Sequence, residues 1–276
     1  MRARVKVKVT AALAFAAALL AAPVAALELQ GEAVQGGLLT ARTVPGAAVT
    51  VDGRAVRVSD DGVFLLGFHR DEAGPARIVV TRPDGTVQRR SVAVRPRVYQ
   101  EQRVDGLPPA KVTPDAAALA RIKKENAQVA RARRLDAPRT DFLDGFIWPA
   151  RGVITGVYGS RRILNGEPRR PHFGVDIAAP AGAAVRAPAA GVVTLAHPDM
   201  FFSGGTLILD HGHGLSSAFL HLRRITVREG QAVKQGEIIA EIGATGRVTG
   251  AHLDWRINLF NKRLDPALVA GEMPGE

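Results

Sequence analysis

Residues 47–68, AAVTVDGRAVRVSDDGVFLLGF, alternate apolar and polar side chains around two Asp-Gly pairs, Asp52-Gly53 and Asp61-Gly62. A period of two sends successive side chains to opposite faces of a strand, and Asp-Gly supplies the positive φ that tight hairpins require. Residues 76–96, ARIVVTRPDGTVQRRSVAVRP, add two strands around Asp84-Gly85. The pattern predicts a small β-sandwich-like domain over residues 27–107. The period then changes. In GLPPAKVTPDAAALARIKKENAQVARARR, Leu119, Ile122 and Val129 fall on one helical face. Thr113 can cap that helix with Pro114 at its first position, and Arg131, Arg133 and Arg134 suit its C-terminus. A helical linker is expected over 108–140. Over 141–276, short apolar runs (GVITGVYG, GGTLILDHG, SSAFLHL, GEIIAEIG, HLDWRINLF) alternate with Gly- and Pro-rich turns. This predicts a second, antiparallel β domain, too rich in strands for βαβ units. The fold class is therefore mostly β.

Composition adds the compartment. Residues 1–26 read as a secretory signal. Arg2, Arg4, Lys6 and Lys8 precede an apolar run from Thr10 to Leu20, and Val24-Ala25-Ala26 offers small residues for cleavage near Ala26. No later stretch is long and apolar enough to span a bilayer. The chain has no cysteine, so neither disulfides nor a lipid-bearing Cys contributes, and the periplasm is the expected location. The formal net charge is +11, from 37 basic and 26 acidic residues. Without the four basic residues of the signal it is 33 against 26, or +7. That favours an anionic partner such as the cell envelope. Export and the absence of a recognition motif with interleaved aromatics argue against nucleic acid.

Five of the seven histidines lie between positions 172 and 221, with His252 beyond and His69 before them. Imidazole is the commonest metal ligand, so this clustering points to metal chemistry. His172 and Asp176 form His-x-x-x-Asp, while His252 and Asp254 lie two apart in a strand pattern and leave the same face. His221 ends the run SSAFLHL. His211 and His213 are loop candidates for substrate contact, although structural roles suit them, His197 and His69 better. Trp255 should point away from Asp254 into the core.

From Trp148 to about Phe260 the chain resembles the lysostaphin/LytM-type zinc metallopeptidases, which cut peptide cross-links in peptidoglycan. The resemblance rests on four blocks in order: WPARGVITGVYGSRR, PHFGVDIAAPAGAAVRAPAAGVV, GGTLILDHGHGLSSAFLHL and VREGQAVKQGEIIAEIGATGRVTGAHLDW. It implies that His172 and Asp176 hold one Zn²⁺ ion and that His221 and His252 are the non-ligand catalytic histidines. The family's third ligand, the last residue of His-x-His, is Asp254 here. Aspartate is also a zinc donor. Two carboxylates and one imidazole would nearly cancel the charge of Zn²⁺ and raise the pH at which its water ionises.

Besides a wall-binding module whose N-terminal sandwich does the recognition, two functions remain open from the sequence. One is an exported zinc-dependent endopeptidase hydrolysing D-alanyl–diaminopimelate cross-links. The other is a catalytically degenerate regulator that binds and activates a cell-wall amidase. The sandwich and linker helix are expected to cover part of the groove.

Overall fold

The computed structural model describes residues 27–275. The signal read over residues 1–26 lies outside them. A three-stranded sheet (Glu28–Gly31, Leu38–Arg42, Val63–Gly67) and a four-stranded sheet (Arg54–Val56, Ala48–Val51, Ala76–Thr81, Val87–Val92) share one buried cluster. Leu39, Ala41 and Phe64 come from the first, and Val49, Ile78 and Val80 from the second. Asp52 and Gly53 both take positive φ, as a two-residue hairpin turn needs. Asp61-Gly62 makes no hairpin. Its flanking strands belong to different sheets, and Gly62 instead carries the chain across, its carbonyl accepting from Thr43 N–H.

The larger sheet has ten antiparallel strands. Its central order is Ala232–Val233, Gly191–Met200, Gly204–Gly212, Leu215–Ile225, His252–Leu259, Val175–Ala178 and Val153–Gly156. Its main core gathers Trp255, Phe219, Ile177, Leu207, Leu209 and Ile257. Trp255 is fully buried, as its alternation with Asp254 requires, and Trp148 packs edge-on against it at 5.5 Å.

The helix Ala116–Ala132 starts two residues later than the Thr113 cap implies. Asp115 is the cap, its carboxylate accepting from Ala118 N at 2.8 Å, while Thr113 ends a short helical turn, Pro109–Val112. Aspartate caps at least as well as threonine, so the later site wins. The buried stripe runs through Ile122, Glu125 and Ala132, with Val129 partly buried, and it leaves Leu119 exposed. Val129 and Ala132 pack on Leu195, Met200, Ile208, Ala218 and Leu220 of the large sheet. Glu125 docks by accepting from Phe201 N at 2.8 Å.

Between sandwich and helix, the strand Glu101–Val104 pairs in parallel with Arg161–Leu164, which pairs with Glu167–Arg169. Asn165 fastens the continuation. Its Oδ1 accepts from Leu107 N at 3.1 Å, and its Nδ2 donates to Leu107 O at 2.7 Å.

Candidate metal centre

Strand register sets the centre. Asp176 lies directly opposite Asp254, and Ala178 opposite His252, in the pair Val175–Ala178 and His252–Leu259. The period of two then puts Asp176, Asp254 and His252 on one face. Both carboxylates are buried. Like charges facing each other across a sheet are destabilising, more so out of water, so this pairing requires cations beside it. Two glycines give the carboxylates room. A Cβ on Gly174 would stand 2.5 Å from Asp254 Oδ1, and one on Gly156 would collide with Asp176 Oδ2.

His172 is buried three residues from the strand, its Nε2 3.1 Å from Asp176 Oδ1 but without hydrogen-bond geometry. Both ring nitrogens of His172 and Asp176 Oδ1 lack a hydrogen-bond partner among the described residues.

His221 enters through a distortion. Gly205 pairs with Leu222 and Leu207 with Phe219, so two residues of Leu215–Ile225 oppose Thr206 alone. This bulge holds His221 at φ 67° and turns its ring into the cleft. Its Nδ1 lies 2.8 Å from Thr245 O, and His252 Nδ1 lies 3.0 Å from Gly250 O. A carbonyl only accepts, so Nδ1 carries a proton in both rings, and a ring with that single proton offers a lone pair at Nε2. The two rings are 4.9 Å apart. Burial pushes the His221 imidazole down to about 4, so it is neutral at neutral pH.

Arginines supply the required positive charge. Arg256 spans both oxygens of Asp254, its Nε donating to Oδ1 at 2.9 Å and an Nη to Oδ2 at 2.6 Å. Arg162 donates to Asp176 Oδ2 and leaves Oδ1 to the His172 side. Burial alone would raise both carboxyls. For Asp254 the Arg256 guanidinium overrides it and holds the group well below the usual range, and for Asp176 His172 does so first, with Arg162 adding to it. The charge balance drawn from the sequence is thereby revised. Two guanidiniums offset the two carboxylates before any cation arrives, which weakens attraction for a dication but leaves a bound one less neutralised.

The donors fit a divalent cation. One ligand atom each from His172, Asp176 and Asp254 lie within 4.8 Å of one another, and they are the one such triad of His, Asp or Glu among the described residues. A tetrahedral zinc with ligands at about 2.1 Å spaces them roughly 3.4 Å apart, a small closure from here. Each Asp254 oxygen keeps a lone pair beside its guanidinium bond, so Arg256 can stay as an outer partner.

Asp176, His221 and His252 open onto a cavity of about 390 Å³ that also receives Arg162, Arg247 and Thr249. Its outer wall runs through Gln102, Val104 and Leu107, which close the 27–107 stretch but lie beyond its two sheets, and no residue of the helix Ala116–Ala132 lines it. The other histidines lie apart from this cavity. His211 is fully buried between Ala190 O and Ser217 Oγ, His213 packs edge-on to Phe142, His197 accepts from Asp199 N, and His69 stacks near Phe173. Sequence reasoning missed the arginines. Arg256, two residues after Asp254 in one strand and hence on its face, was within reach of the alternation. Arg162 and Arg247 carried no pattern.

The description "Peptidase family M23" matches residues 170–266. A peptidoglycan DD-endopeptidase, ShyB, of Vibrio cholerae is 40% identical over 97 residues, covering 34% of this chain and 22% of its own. A lipoprotein NlpD/LppB homolog of Pseudomonas aeruginosa is 38% identical over 124 residues, covering 45% of this chain and 39% of its own. The chain thus spans only about a fifth to two fifths of these curated relatives. A crystal structure of a putative peptidase M23 from Pseudomonas aeruginosa superposes with TM-score 0.67 at 31% identity, over 87% of this chain and 96% of the other. Agreement of fold over nearly the whole of that structure, together with the matched segment that holds all five converging residues, places the chain in peptidase family M23.

Proposed function

We propose that the protein is an exported, zinc-dependent peptidoglycan endopeptidase that hydrolyses peptide cross-links, D-alanyl–diaminopimelate in particular. The observation that carries this reading is the pairing of Asp176 with Asp254 beside the partnerless donors of His172, with Asp176 opening onto the same cavity as His221 and His252, whose Nδ1 atoms are both held by backbone carbonyls. Similarity to a DD-endopeptidase supports the substrate class. The signal-like residues 1–26 support a periplasmic site of action, and no helix among the described residues is long and apolar enough to cross a membrane.

His172, Asp176 and Asp254 would hold the cation. When bound, it supplies Lewis-acid activation of water and of the scissile carbonyl. Neutral His221, fixed by Thr245 O, is poised to accept the proton of the attacking water at Nε2. The proton so taken by His221 is the one available to return to the leaving amine, and His252, held at Nδ1 by Gly250 O, would hydrogen-bond the developing oxyanion once a proton also sits on its Nε2.

The second reading, a regulator that binds and activates a cell-wall amidase, is favoured by one feature. Arg256 already satisfies both oxygens of Asp254, so the pair is stable without a metal. Mass spectrometry of purified peptidoglycan, incubated with residues 27–276 and either zinc or a chelator, separates the two. Conversion of cross-linked dimers to monomers that is lost with chelator and in His172→Ala is the expected result. Folded protein that leaves the profile unchanged in both arms refutes the endopeptidase reading and turns the search to an amidase.

A further inference from the structure

Arg247 is a cation with no use in the mechanism above. It follows Gly246, whose φ of 79° and whose closeness to Gly204 N and Phe202 O, 2.5 Å from a notional Cβ, admit only glycine. That turn sets the Arg247 backbone N–H on Phe202 O at 2.8 Å and lays the guanidinium over the Phe202 ring at 4.5 Å. The side chain therefore has one defined position on the cavity wall. Its protein partner there is a long contact to Lys111 O, 3.4 Å. No carboxylate among the described residues is close enough to pair with it.

The groups that face Arg247 from every side make this costly. Arg162 lines the same cavity, and Arg169 and Arg256 are near enough to repel it. Half-burial, with these three guanidiniums, pulls its pKa down to about 10. The acids of the cavity do not answer it, because Asp176 is engaged by Arg162 and Asp105 shares the wall without forming an ion pair. Gln102 and Thr249 add neutral hydrogen-bonding groups. A guanidinium offers five donors in a fixed fork that matches a carboxylate, and one held half-buried among other cations gains most from an arriving anion.

We infer that Arg247 is the carboxylate-recognising residue of the cleft, binding a free carboxylate of an acidic peptide whose scissile amide lies by His221 and His252. This inference rests on the proposed endopeptidase reading for its substrate and adds the feature by which that substrate is chosen. Arg247 stands in the same cavity as Asp176, His221 and His252, so one short peptide reaches both ends. Arg162 borders the same space and adds to the local positive field.

The test uses residues 27–276 and two synthetic cross-link peptides, identical except that the carboxylate flanking the scissile amide is free in one and a carboxamide in the other. Isothermal titration calorimetry measures binding with the wild type, Arg247→Met and Arg247→Lys, each checked for folding by circular dichroism. The wild type should bind the acid roughly 10- to 100-fold more tightly than the amide, the range of one charge-assisted hydrogen-bonded pair. Arg247→Met should bind both peptides alike, and Arg247→Lys should keep part of the preference, since its ammonium is a point charge without the fork. A wild type indifferent to the carboxylate, an Arg247→Met that keeps the preference, or folded wild type that binds neither peptide overturns the inference. Hydrolysis of the same peptides is scored separately by mass spectrometry. Selective binding without hydrolysis refutes the endopeptidase reading and leaves carboxylate recognition standing. Hydrolysis of both peptides without preference does the reverse.

Discussion

Replacing Arg256 by methionine removes the cation that holds Asp254 and leaves its aliphatic volume nearly filled. Asp254 is 1% exposed, and among the described residues the hydrogen bonds to its oxygens come from Arg256 alone, at 2.9 and 2.6 Å. Breaking a buried ion pair from one side costs about 3–5 kcal/mol. The Arg256 side chain is a quarter exposed, which argues for the lower end, about 3 kcal/mol or roughly a hundredfold in the unfolding equilibrium. Urea unfolding in a chelator-containing buffer measures that loss. The Asp254→Leu/Arg256→Met double variant removes both charges and should recover most of it, giving a coupling of about 2 kcal/mol. Zinc discriminates further. In the wild type a dication joins carboxylates already offset by guanidiniums, whereas in Arg256→Met it meets a bare Asp254. The stabilisation gained on adding zinc should therefore be larger in the variant than in the wild type. A loss below about 1 kcal/mol in chelator, or an equal zinc increment in both proteins, refutes the account of Arg256 as a counter-charge competing with the metal.

Asp254→His restores an imidazole donor but strands Arg256, so zinc retention measured by mass spectrometry of desalted protein should recover in Asp254→His/Arg256→Met and not in the single change. His211 is expected to make stability pH-dependent. Burial lowers it to about 4 from the 6.5 of the unfolded chain, so the unfolded state takes up the proton first as pH falls from about 6.5 toward 4. The folded state then loses up to about 1.4 kcal/mol per pH unit from this group, and His211→Gln should flatten the urea-midpoint profile by about one proton. An unchanged slope would show that His211 is not the titrating group. Gly174→Ala presses a methyl on Asp254 Oδ1 and Trp255 O, each 2.5 Å away. It should lower both the thermal midpoint and zinc retention, whereas Gly250→Ala, with open space around it, should leave the thermal midpoint unchanged.

Much of this site was legible because it lies in strands. Alternation alone sets His252 and Asp254 on one face and Trp255 on the other, and the structure keeps that arrangement. The resemblance supplied the grouping with His172, Asp176 and His221 that spacing could not. The bulge at His221 was hidden, since no residue type marks the place where two residues oppose one. Asp61-Gly62 read as a hairpin because local turn chemistry does not say which sheet the next strand will join. The pairing of Glu101–Val104 with Arg161–Leu164 was also unreadable. Those strands, EQRV and RRIL, are short and half charged, and their partnership spans a gap of 60 residues.

That parallel pair has a consequence for the order in which the chain becomes structured during synthesis. The core shared by the two N-terminal sheets is complete with Val92 and Val94, so it can form before residue 101 emerges. The strand Glu101–Val104 must then wait, edge unsatisfied, until Arg161–Leu164 and Asn165 appear. Loop-closure entropy makes such distant, parallel contacts late events. The outer wall of the cleft is therefore finished only after both halves of the chain exist, and a nascent protein stalled between residues 110 and 160 would carry a folded sandwich with an open strand beside it.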